Sequence, residues 1–309
     1  MAVYNNADYL KIQLQSLLNQ TLDSFKIIIR DDCSTDHSVA IIEKFIDENP
    51  GKIYLIKGTQ NLGAKGNFAE LMQHSRADYI FFCDADDVWI PSKIEDSFCL
   101  MKKSEEQYGV NTPLLIHTDL SVVDKELHLI DSSFWDYSCL NPDAAFFLNR
   151  LLVQNVVTGC TMLINKPLLK LANPLPSEII MHDWWLALVA AAFGQIAYIK
   201  KPTILYRQHG KNDTGAKNWK NKALYISRFQ MSLSLKGKME LKKNFEKTVL
   251  QAAQFLNRYK NSLNPKQKEI IQDFVRLLSV NGLQRRYLFL KHRYFKNSIL
   301  KNIGLFYIL

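Results

Sequence analysis

Three aspartates stand together directly after an apolar stretch of the chain. The stretch Tyr79-Ile80-Phe81-Phe82-Cys83 is typical of a buried strand, and Asp84-Ala85-Asp86-Asp87 follows it. Carboxylates this close repel one another unless a cation lies among them. Mg²⁺ binds proteins through one or two carboxylates together with phosphate oxygens of a substrate. Because open α/β sheets bind ligands at the carboxyl ends of their strands, the sequence predicts a metal–diphosphate site here.

Other segments carry related chemistry. Arg30-Asp31-Asp32 ends the β-branched run Phe25–Ile29, and His182-Asp183-Trp184-Trp185 precedes an apolar stretch. Tyr206-Arg207-Gln208-His209 adds a guanidinium and an imidazole. Carboxylates in such positions can bind a metal, accept a hydrogen bond from a ligand or accept a proton.

Strands and helices alternate through the first half of the chain. Leucines at 10, 14, 17 and 18 form a helical stripe, and Ile53–Ile56 is a short apolar strand. Such alternation predicts an α/β fold with a mostly parallel central sheet flanked by helices. Further strands are predicted at Leu114–His117, Thr161–Ile164 and Ile196–Ile199, with helices around residues 41–46, 67–74, 183–193 and 241–259. Asn264-Pro265 is predicted to end the last of these helices.

The beginning of the sequence is unusual for such a sheet. Met1-Ala2-Val3-Tyr4-Asn5-Asn6 reads as the end of a first strand and the loop after it, so most of that strand is missing. We therefore expect a truncated first strand, either because the natural chain begins earlier or because the sequence is a fragment.

Charge is divided unevenly along the 309 residues, whose net charge is +9. Residues 1–200 hold 16 Lys/Arg and 25 Asp/Glu, whereas residues 201–309 hold 23 Lys/Arg and 5 Asp/Glu. The acidic part contains the candidate site, and the basic part needs an acidic partner or surface. Five cysteines without a CxxC pair argue against a disulfide framework or a zinc site and fit a reducing cytosol. No stretch approaches the roughly 20 apolar residues of a membrane-spanning helix.

Taken together, these segments resemble a known family. Tyr4-Asn5-Asn6, the segment from Ile29 to Asp36, Asp84-Ala85-Asp86-Asp87 and His182-Asp183-Trp184-Trp185 are similar in order and spacing to the motifs of family 2 glycosyltransferases of the GT-A fold. A single DxD tripeptide is common by chance, whereas four motifs in order are specific. The resemblance covers residues 1–215, which we interpret as a glycosyltransferase domain, and leaves residues 216–309 as a basic α-helical region.

A narrower resemblance concerns the donor sugar. Leu115–Leu120, Asn155–Met162, Ile180–Ala187 and Tyr206–His209 look like segments of bacterial rhamnosyltransferases that build cell-wall or capsular polysaccharide from dTDP-L-rhamnose. Cys33 stands where such enzymes often have glycine, a change in a tight turn that removes no ligand. The resemblance implies transfer of L-rhamnose from dTDP-β-L-rhamnose to a lipid-linked saccharide acceptor.

On the donor side, the resemblance implies a cation site and a nucleotide site. Asp86, Asp87 and His209 would bind a divalent cation, Mg²⁺ or Mn²⁺, that neutralises the leaving diphosphate. Asp32 would accept the imide N–H of the pyrimidine base, a group that thymine and uracil share. The other implied nucleotide-sugar contacts are Val3, Tyr4, Lys65, Asp84 and Arg207.

Simpler interpretations are open for several of these residues. Asp32 would equally suit a helix cap or a turn. Lys65 would suit a solvated surface turn, and His209 a partly buried histidine with its hydrogen bonds satisfied.

On the acceptor side, the resemblance implies that Asp183 is the catalytic base. It would take the proton of the acceptor hydroxyl in a single inverting displacement, giving an α-L-rhamnoside without a covalent sugar–enzyme intermediate. Asp183 would also suit a helix N-cap. Trp184 and Trp185 would bind the acceptor by stacking on sugar faces, although we expect one of the pair to be a core residue.

The C-terminal end combines basic and aromatic residues. Residues 274–309 contain seven Lys/Arg, seven aromatic residues and no Asp/Glu. Polybasic segments gain about 1 kcal/mol per Lys/Arg near an anionic leaflet. We therefore expect a cytoplasmic protein attached peripherally to the inner face of the plasma membrane, with a helical bundle whose basic face is merely solvated as the alternative. No nucleic-acid-binding module is recognised, so no nucleic-acid partner is expected.

Three other readings of the function stay open. A nucleotidyltransferase also uses clustered carboxylates with Mg²⁺, but the 309 residues contain no Gly-rich phosphate loop. A UDP-hexose-dependent transferase of the same fold would keep every motif. A truncated, inactive transferase would act as a membrane- or polyanion-binding module, although Asp32, Asp86 and Asp183 are all present.

Overall fold

The computed structural model describes residues 1–210, 215–221 and 234–308, which form two compact units. The first unit comprises Met1–Phe134, Thr158–Pro174 and Gln195–Ala216. The second comprises Trp135–Val157, Leu175–Gly194 and Lys217–Leu309. These units are not the linear segments 1–215 and 216–309, because two stretches of the first segment group with the C-terminal helices. A functional boundary after residue 215 stays a prediction.

Strands and helices alternate in the order expected of an α/β chain. The strands are β1 (Ala2–Val3), β2 (Ile27–Asp31), β3 (Ile53–Lys57), β4 (Tyr79–Phe81), β5 (Val88–Trp89), β6 (Leu114–Val123), β7 (Leu129–Asp131), β8 (Leu163–Asn165) and β9 (Gln195–Arg207). The helices are α1 (Ala7–Leu18), α2 (Ser38–Glu48), α3 (Gly63–His74), α4 (Lys93–Tyr108), α5 (Phe134–Tyr137), α6 (Leu148–Leu151), α7 (Lys166–Ala172), α8 (His182–Phe193), α9 (Leu235–Tyr259), α10 (Pro265–Arg276), α11 (Gly282–Lys291) and α12 (Ile299–Ile308). Short 3₁₀ turns cover Pro142–Phe146 and Gly159–Thr161.

The first sheet is parallel and contains β1, β2 and β3 in that order. Val3 pairs with Asp31, so the carboxyl ends of β1 and β2 lie side by side. α1 connects these two strands and buries three of the four leucines of the predicted stripe. The apolar run that predicts a strand before Arg30-Asp31-Asp32 forms β2.

The second sheet has the order β4-β8-β6-β9-β5, and β7 pairs with β6. In this sheet β6 and β9 are parallel, while the other four described pairs are antiparallel. The predicted α/β class is confirmed, and the parallel arrangement holds throughout the first sheet. The mixed second sheet was not evident from the sequence, because a strand buried on both faces is a continuous apolar run whichever way its neighbours point.

β6 and β9 are the long strands of the second sheet. All ten residues of β6 are buried, and its pairing with β9 extends both strands well beyond the four-residue segments that the sequence predicts. A cluster on one side of β6 joins α4 to the sheet through Met101, Leu114, Ile116 and Leu163. The long pairing carries β9 as far as Arg207, one of the candidate site residues.

The described part of the second unit is helical. Trp185 of α8 is fully buried and its ring lies 5.4 Å from that of Phe255 in α9. Asn264 and Gln267 form a reciprocal pair of hydrogen bonds at the start of α10, with Pro265 at the first helical position. The predicted break in the helix is confirmed: α9 ends at Tyr259, shortly before Asn264-Pro265, and the pair begins the next helix, which was not predicted. Among the described residues, no helix has both the length and the apolar character needed to span a bilayer.

Candidate active site

The loops that follow β1 and β2 are tied together at the carboxyl end of the first sheet. The Asp36 carboxylate accepts the N–H of Ala7 at 3.0 Å and that of Ser38 at 2.9 Å. One side chain thus caps the beginnings of both α1 and α2. Asn5 donates its N–H to the Ser34 hydroxyl at 2.9 Å. The motif residues between 5 and 38 fix the shape of this edge of the sheet.

Asp32 is enclosed at this edge. Its carboxylate lies 2.6 Å from the guanidinium of Arg30 and accepts the N–H groups of Leu62 and Gly63 at 2.9 and 2.8 Å. These bonds cap α3, which begins at Gly63, where φ is +69°, rather than near residue 67 as predicted. The contacts are those of the helix-cap interpretation. A role for Asp32 in binding the pyrimidine base stays a prediction. It requires Asp32 to exchange one of these N–H donors for the imide N–H of the base.

The other expected nucleotide contacts surround the same edge. Val3 is buried and its carbonyl accepts the N–H of Asp32 at 2.9 Å, whereas Tyr4 is half exposed. Lys65 lies in the first turn of α3 and is partly exposed. Asp31 is buried: one carboxylate oxygen accepts the Ser34 N–H at 3.0 Å, and the other has no hydrogen-bond partner among the described residues.

Asp87 is the innermost member of the carboxylate cluster after β4. It is fully buried, and one oxygen accepts the backbone N–H of Arg207 at 3.1 Å. Burial, followed by repulsion from Asp86 and Asp84, raises the pKa of Asp87 well above its usual range. The thiol of Cys160 adjoins it, and ligand atoms of Asp84, Asp87 and Cys160 lie within 4.8 Å of one another.

Asp86 is held from the other side by residues at the end of β9. Its carboxylate lies 2.7 Å from Nε2 of His209, whose ring stacks on that of Tyr9 with centroids 4.6 Å apart. Arg207 lies with its guanidinium carbon 4.8 Å from the Tyr9 ring centroid and donates to the backbone carbonyls of Asp86 at 2.8 Å and Lys125 at 2.5 Å. The structure thus brings Asp86, His209 and Arg207 together. A diphosphate contact by Arg207 stays a prediction that requires its guanidinium to leave these carbonyls.

The donor set suits a hard divalent cation. The carboxylates of Asp84 and Asp87 lie together, and that of Asp86 contacts the imidazole of His209. Carboxylate oxygens are the ligands that Mg²⁺ and Mn²⁺ prefer. Cys160 is a poor candidate ligand for such a cation, because hard divalent cations prefer oxygen ligands and thiolates suit softer metals.

In the second unit, Asp183 lies in the first turn of α8 and is half buried. Its carboxylate accepts the N–H of Trp184 at 2.6 Å, and the indole N–H of Trp184 donates to the Leu151 carbonyl at 2.6 Å. A carboxylate at a helix N-terminus is electrostatically favourable. The prediction that Trp185 binds the acceptor is wrong. Its ring has no exposed surface, so it cannot stack on a sugar and is the core member of the pair.

Two residues of the site were missed at the level of sequence. Tyr9 supports His209 and Arg207, and Cys160 adjoins the buried carboxylate of Asp87. Tyr9 has no local signal because it reads as part of α1, and Cys160, although it lies in the Asn155–Met162 segment, has no sequence feature that places it beside Asp87. Both reach the site through contacts between segments that are far apart in the chain.

The sequence is similar to those of known glycosyltransferases. Residues 1–165 match the sequence model of "Glycosyl transferase family 2". The dTDP-rhamnosyl transferase RfbG of Shigella flexneri is 29% identical to this chain over 223 residues, covering 70% of the chain and 74% of RfbG. The chain covers 59% and 57% of the lengths of two other bacterial relatives.

Solved structures share the fold at low sequence identity. The 1–349 fragment of S. aureus TarS in complex with UDP-GlcNAc has a TM-score of 0.53 and 16% identity, covering 98% of this chain and 88% of that one. The mannosyltransferase PcManGT of Pyrobaculum calidifontis, in complex with GDP-Man and Mn²⁺, has a TM-score of 0.54 and 13% identity, covering 98% and 76%. Because the family model spans more than half of the chain and these neighbours have the GT-A fold, the protein belongs to glycosyl transferase family 2 and is a glycosyltransferase.

Proposed function

We propose that this chain transfers L-rhamnose from dTDP-β-L-rhamnose to a hydroxyl of a lipid-linked saccharide, with inversion at the anomeric carbon and with the help of a divalent cation. Two observations support the transferase chemistry: Asp86, after β4, contacts His209, after β9, and the carboxylates of Asp84 and Asp87 lie together. The choice of donor is supported by similarity to RfbG, which is named a dTDP-rhamnosyl transferase.

The carboxylate cluster would serve the leaving group. Asp86, Asp87 and His209 are the proposed cation ligands: His209 contacts Asp86, and a ligand atom of Asp84 lies within 4.8 Å of one of Asp87. When bound, the cation supplies Lewis-acid neutralisation of the diphosphate charge. Tyr9 and the backbone bonds of Arg207 hold Asp86 and His209 in position. Mn²⁺ is the cation present with GDP-Man in PcManGT, which makes it the first cation to test.

The nucleoside is proposed to lie at the carboxyl end of the first sheet, where parallel sheets bind their ligands. Val3 ends β1, Tyr4 and Asp32 directly follow β1 and β2, and Lys65 lies in the first turn of α3. Lys65 is proposed to contact phosphate, since the N-terminus of a helix also attracts anions. Asp32 is proposed to read the base imide after exchanging one of its present donors.

Asp183 is proposed as the general base. The acceptor hydroxyl forms a bond to the anomeric carbon, the bond from that carbon to the diphosphate oxygen breaks, and dTDP leaves. The hydroxyl proton passes to the Asp183 carboxylate. Trp184 is the proposed acceptor-stacking residue, because Trp185 is enclosed in the core.

The proposed place of action is the cytoplasmic face of an anionic membrane. The support is the charge of the chain, with 23 Lys/Arg against 5 Asp/Glu after residue 200. A lipid-linked acceptor would be presented at the same surface. No nucleic-acid partner is proposed.

A donor panel tests the proposal. The full chain is incubated with Mn²⁺ or Mg²⁺, a lipid-linked rhamnosyl acceptor, and dTDP-rhamnose, UDP-glucose, UDP-galactose or UDP-N-acetylglucosamine in turn. We expect turnover with dTDP-rhamnose and none after chelation of the cation. Turnover only with a UDP-hexose would overturn the rhamnose assignment and leave the fold and family intact.

A further inference from the structure

Helix α11 of the second unit has two apolar faces. One face is internal: Leu288 and Phe289 are buried, and the Phe289 ring packs edge-on against Tyr294 and Phe306 at 6.1 and 4.9 Å. This face accounts for the docking of α11 on the helices around it. It does not account for the apolar residues on the opposite side.

The other face is exposed to solvent. Leu283, Tyr287 and Leu290 are 81%, 62% and 55% exposed. At 3.6 residues per turn these three positions lie on one stripe, and Arg286 lies on its edge and is also exposed. A contiguous group of large exposed apolar side chains is typical of an interaction surface. We call Leu283, Arg286, Tyr287 and Leu290 the α11 stripe.

The surroundings of the α11 stripe carry one sign of charge. Residues 274–309 contain seven Lys/Arg and no Asp/Glu. Some of these cations are engaged inside the unit, as Lys291 is with Glu269 at 2.6 Å. Arg286 and Arg293 are exposed, and neither forms an ion pair with a residue that the structure describes. Arg286 therefore lies at the edge of the exposed apolar row, and Arg293 follows shortly after the end of α11.

We propose that the α11 stripe docks on the surface of an anionic lipid bilayer, with the helix axis parallel to the membrane plane. Leucine side chains gain from entering the acyl boundary, tyrosine favours the headgroup level, and arginine pairs with anionic headgroups. A nucleic acid would satisfy the arginines but offers no apolar medium for Leu283 and Leu290. The inference deepens the proposed function, because a lipid-linked acceptor requires the enzyme to reach a membrane.

The test is binding of the full chain to vesicles without donor or acceptor, so that it does not depend on the reaction. Vesicles of phosphatidylcholine alone are compared with vesicles containing phosphatidylglycerol, in low and high salt. We expect binding to the anionic vesicles only, weakened by salt. The double variant Leu283→Glu/Leu290→Glu should lower the partition coefficient by roughly tenfold or more. Arg286→Glu/Arg293→Glu should lower it while leaving both leucines in place.

Leu129→Glu is the matched control, since Leu129 is 64% exposed but lies in β7 of the first unit, between Glu126 and Asp131. It should bind vesicles as the unchanged protein does. Circular dichroism and transfer to a detergent-dispersed acceptor should be unchanged in all variants. Equal binding by the leucine double variant, or binding that ignores headgroup charge, would overturn the inference. So would binding to DNA or heparin with no binding to vesicles.

Discussion

The three carboxylates after β4 are not equivalent. Asp86 forms a 2.7 Å contact with His209, while Asp87 is fully buried and hydrogen-bonded to the backbone of Arg207. In the sequence, the three aspartates form a single acidic run and cannot be told apart. Their contacts divide them into a carboxylate that faces an imidazole and one that ties the loop to β9. Tyr9 supports the first arrangement through its stacking on His209.

The first prediction concerns Asp183. In Asp183→Asn the amide cannot accept the acceptor proton, so we expect kcat to fall by roughly 10²–10⁴-fold. Asparagine keeps the shape of the side chain, so donor affinity measured by calorimetry should be unchanged. Glu178→Gln, at an exposed acidic position in the same unit, is the control and should transfer normally. Unchanged transfer by Asp183→Asn would remove Asp183 from the role of base.

At the scale of elements, α4 begins with an unusual anchor. Lys93 is fully buried, donates to the Thr161 carbonyl at 3.3 Å and lies 4.6 Å from the centroid of Trp89. Burial lowers the pKa of Lys93 to about 8, and Cys160, Cys83 and Asp87 partly offset this effect. A buried ammonium therefore lies behind the carboxylate cluster, at the junction of α4 with β5 and β8.

The second prediction follows from that pKa. Between about pH 8 and 10.5 the unfolded chain holds a proton on Lys93 that the folded chain has released, so stability rises with pH in this window. A pKa lowered from 10.5 to about 8 corresponds to about 3 kcal/mol over the window. Lys93→Met should lack this rise, as measured by urea unfolding at pH 7.5, 9 and 10. Lys44→Met, at an exposed lysine, should keep it. Parallel curves for Lys93→Met and the unchanged protein would contradict the prediction.

At the scale of the whole molecule, charge is divided unevenly along the chain. The first 200 residues are acidic and the remainder strongly basic, which sets the long-range field. Each unit also contains a buried histidine, His117 in β6 and His182 at the start of α8. Burial lowers the pKa of both to about 3.

The third prediction is a loss of stability in acid. Both histidines have a folded pKa far below the ordinary value of 6.5, so their contribution is complete above pH 6.5 and is lost as pH falls toward 3. Within that window, each histidine should lower the free energy of unfolding by about 1.4 kcal/mol for every unit by which the pH falls. In denaturant unfolding between pH 6 and 4, His117→Leu should reduce the slope of the unfolding free energy against pH by the amount that corresponds to one bound proton. His37→Leu, at an exposed histidine, is the control. A His117→Leu curve parallel to that of the unchanged protein would refute the prediction.

The sequence by itself determined the family, the α/β class and the position of the carboxylate cluster. These depend on local patterns, since an apolar run followed by acidic residues marks the end of a buried strand. The leucine stripe of α1, the run that becomes β2 and the helix junction at Asn264-Pro265 were predictable for the same reason. Helix and strand ends were less predictable where a distant partner extends them, as in β6 and β9.

The tertiary structure alone decided which side chains meet. It stacked Tyr9 on His209, placed Cys160 beside Asp87, enclosed Trp185 in the core and surrounded Asp32 with the donors that cap α3. Each of these contacts joins segments that are distant in the chain, and their geometry follows from packing rather than from local composition. The aspartates after β4 could therefore be recognised as a cluster from the sequence. The different contacts that Asp86 and Asp87 make could be identified only from the tertiary structure.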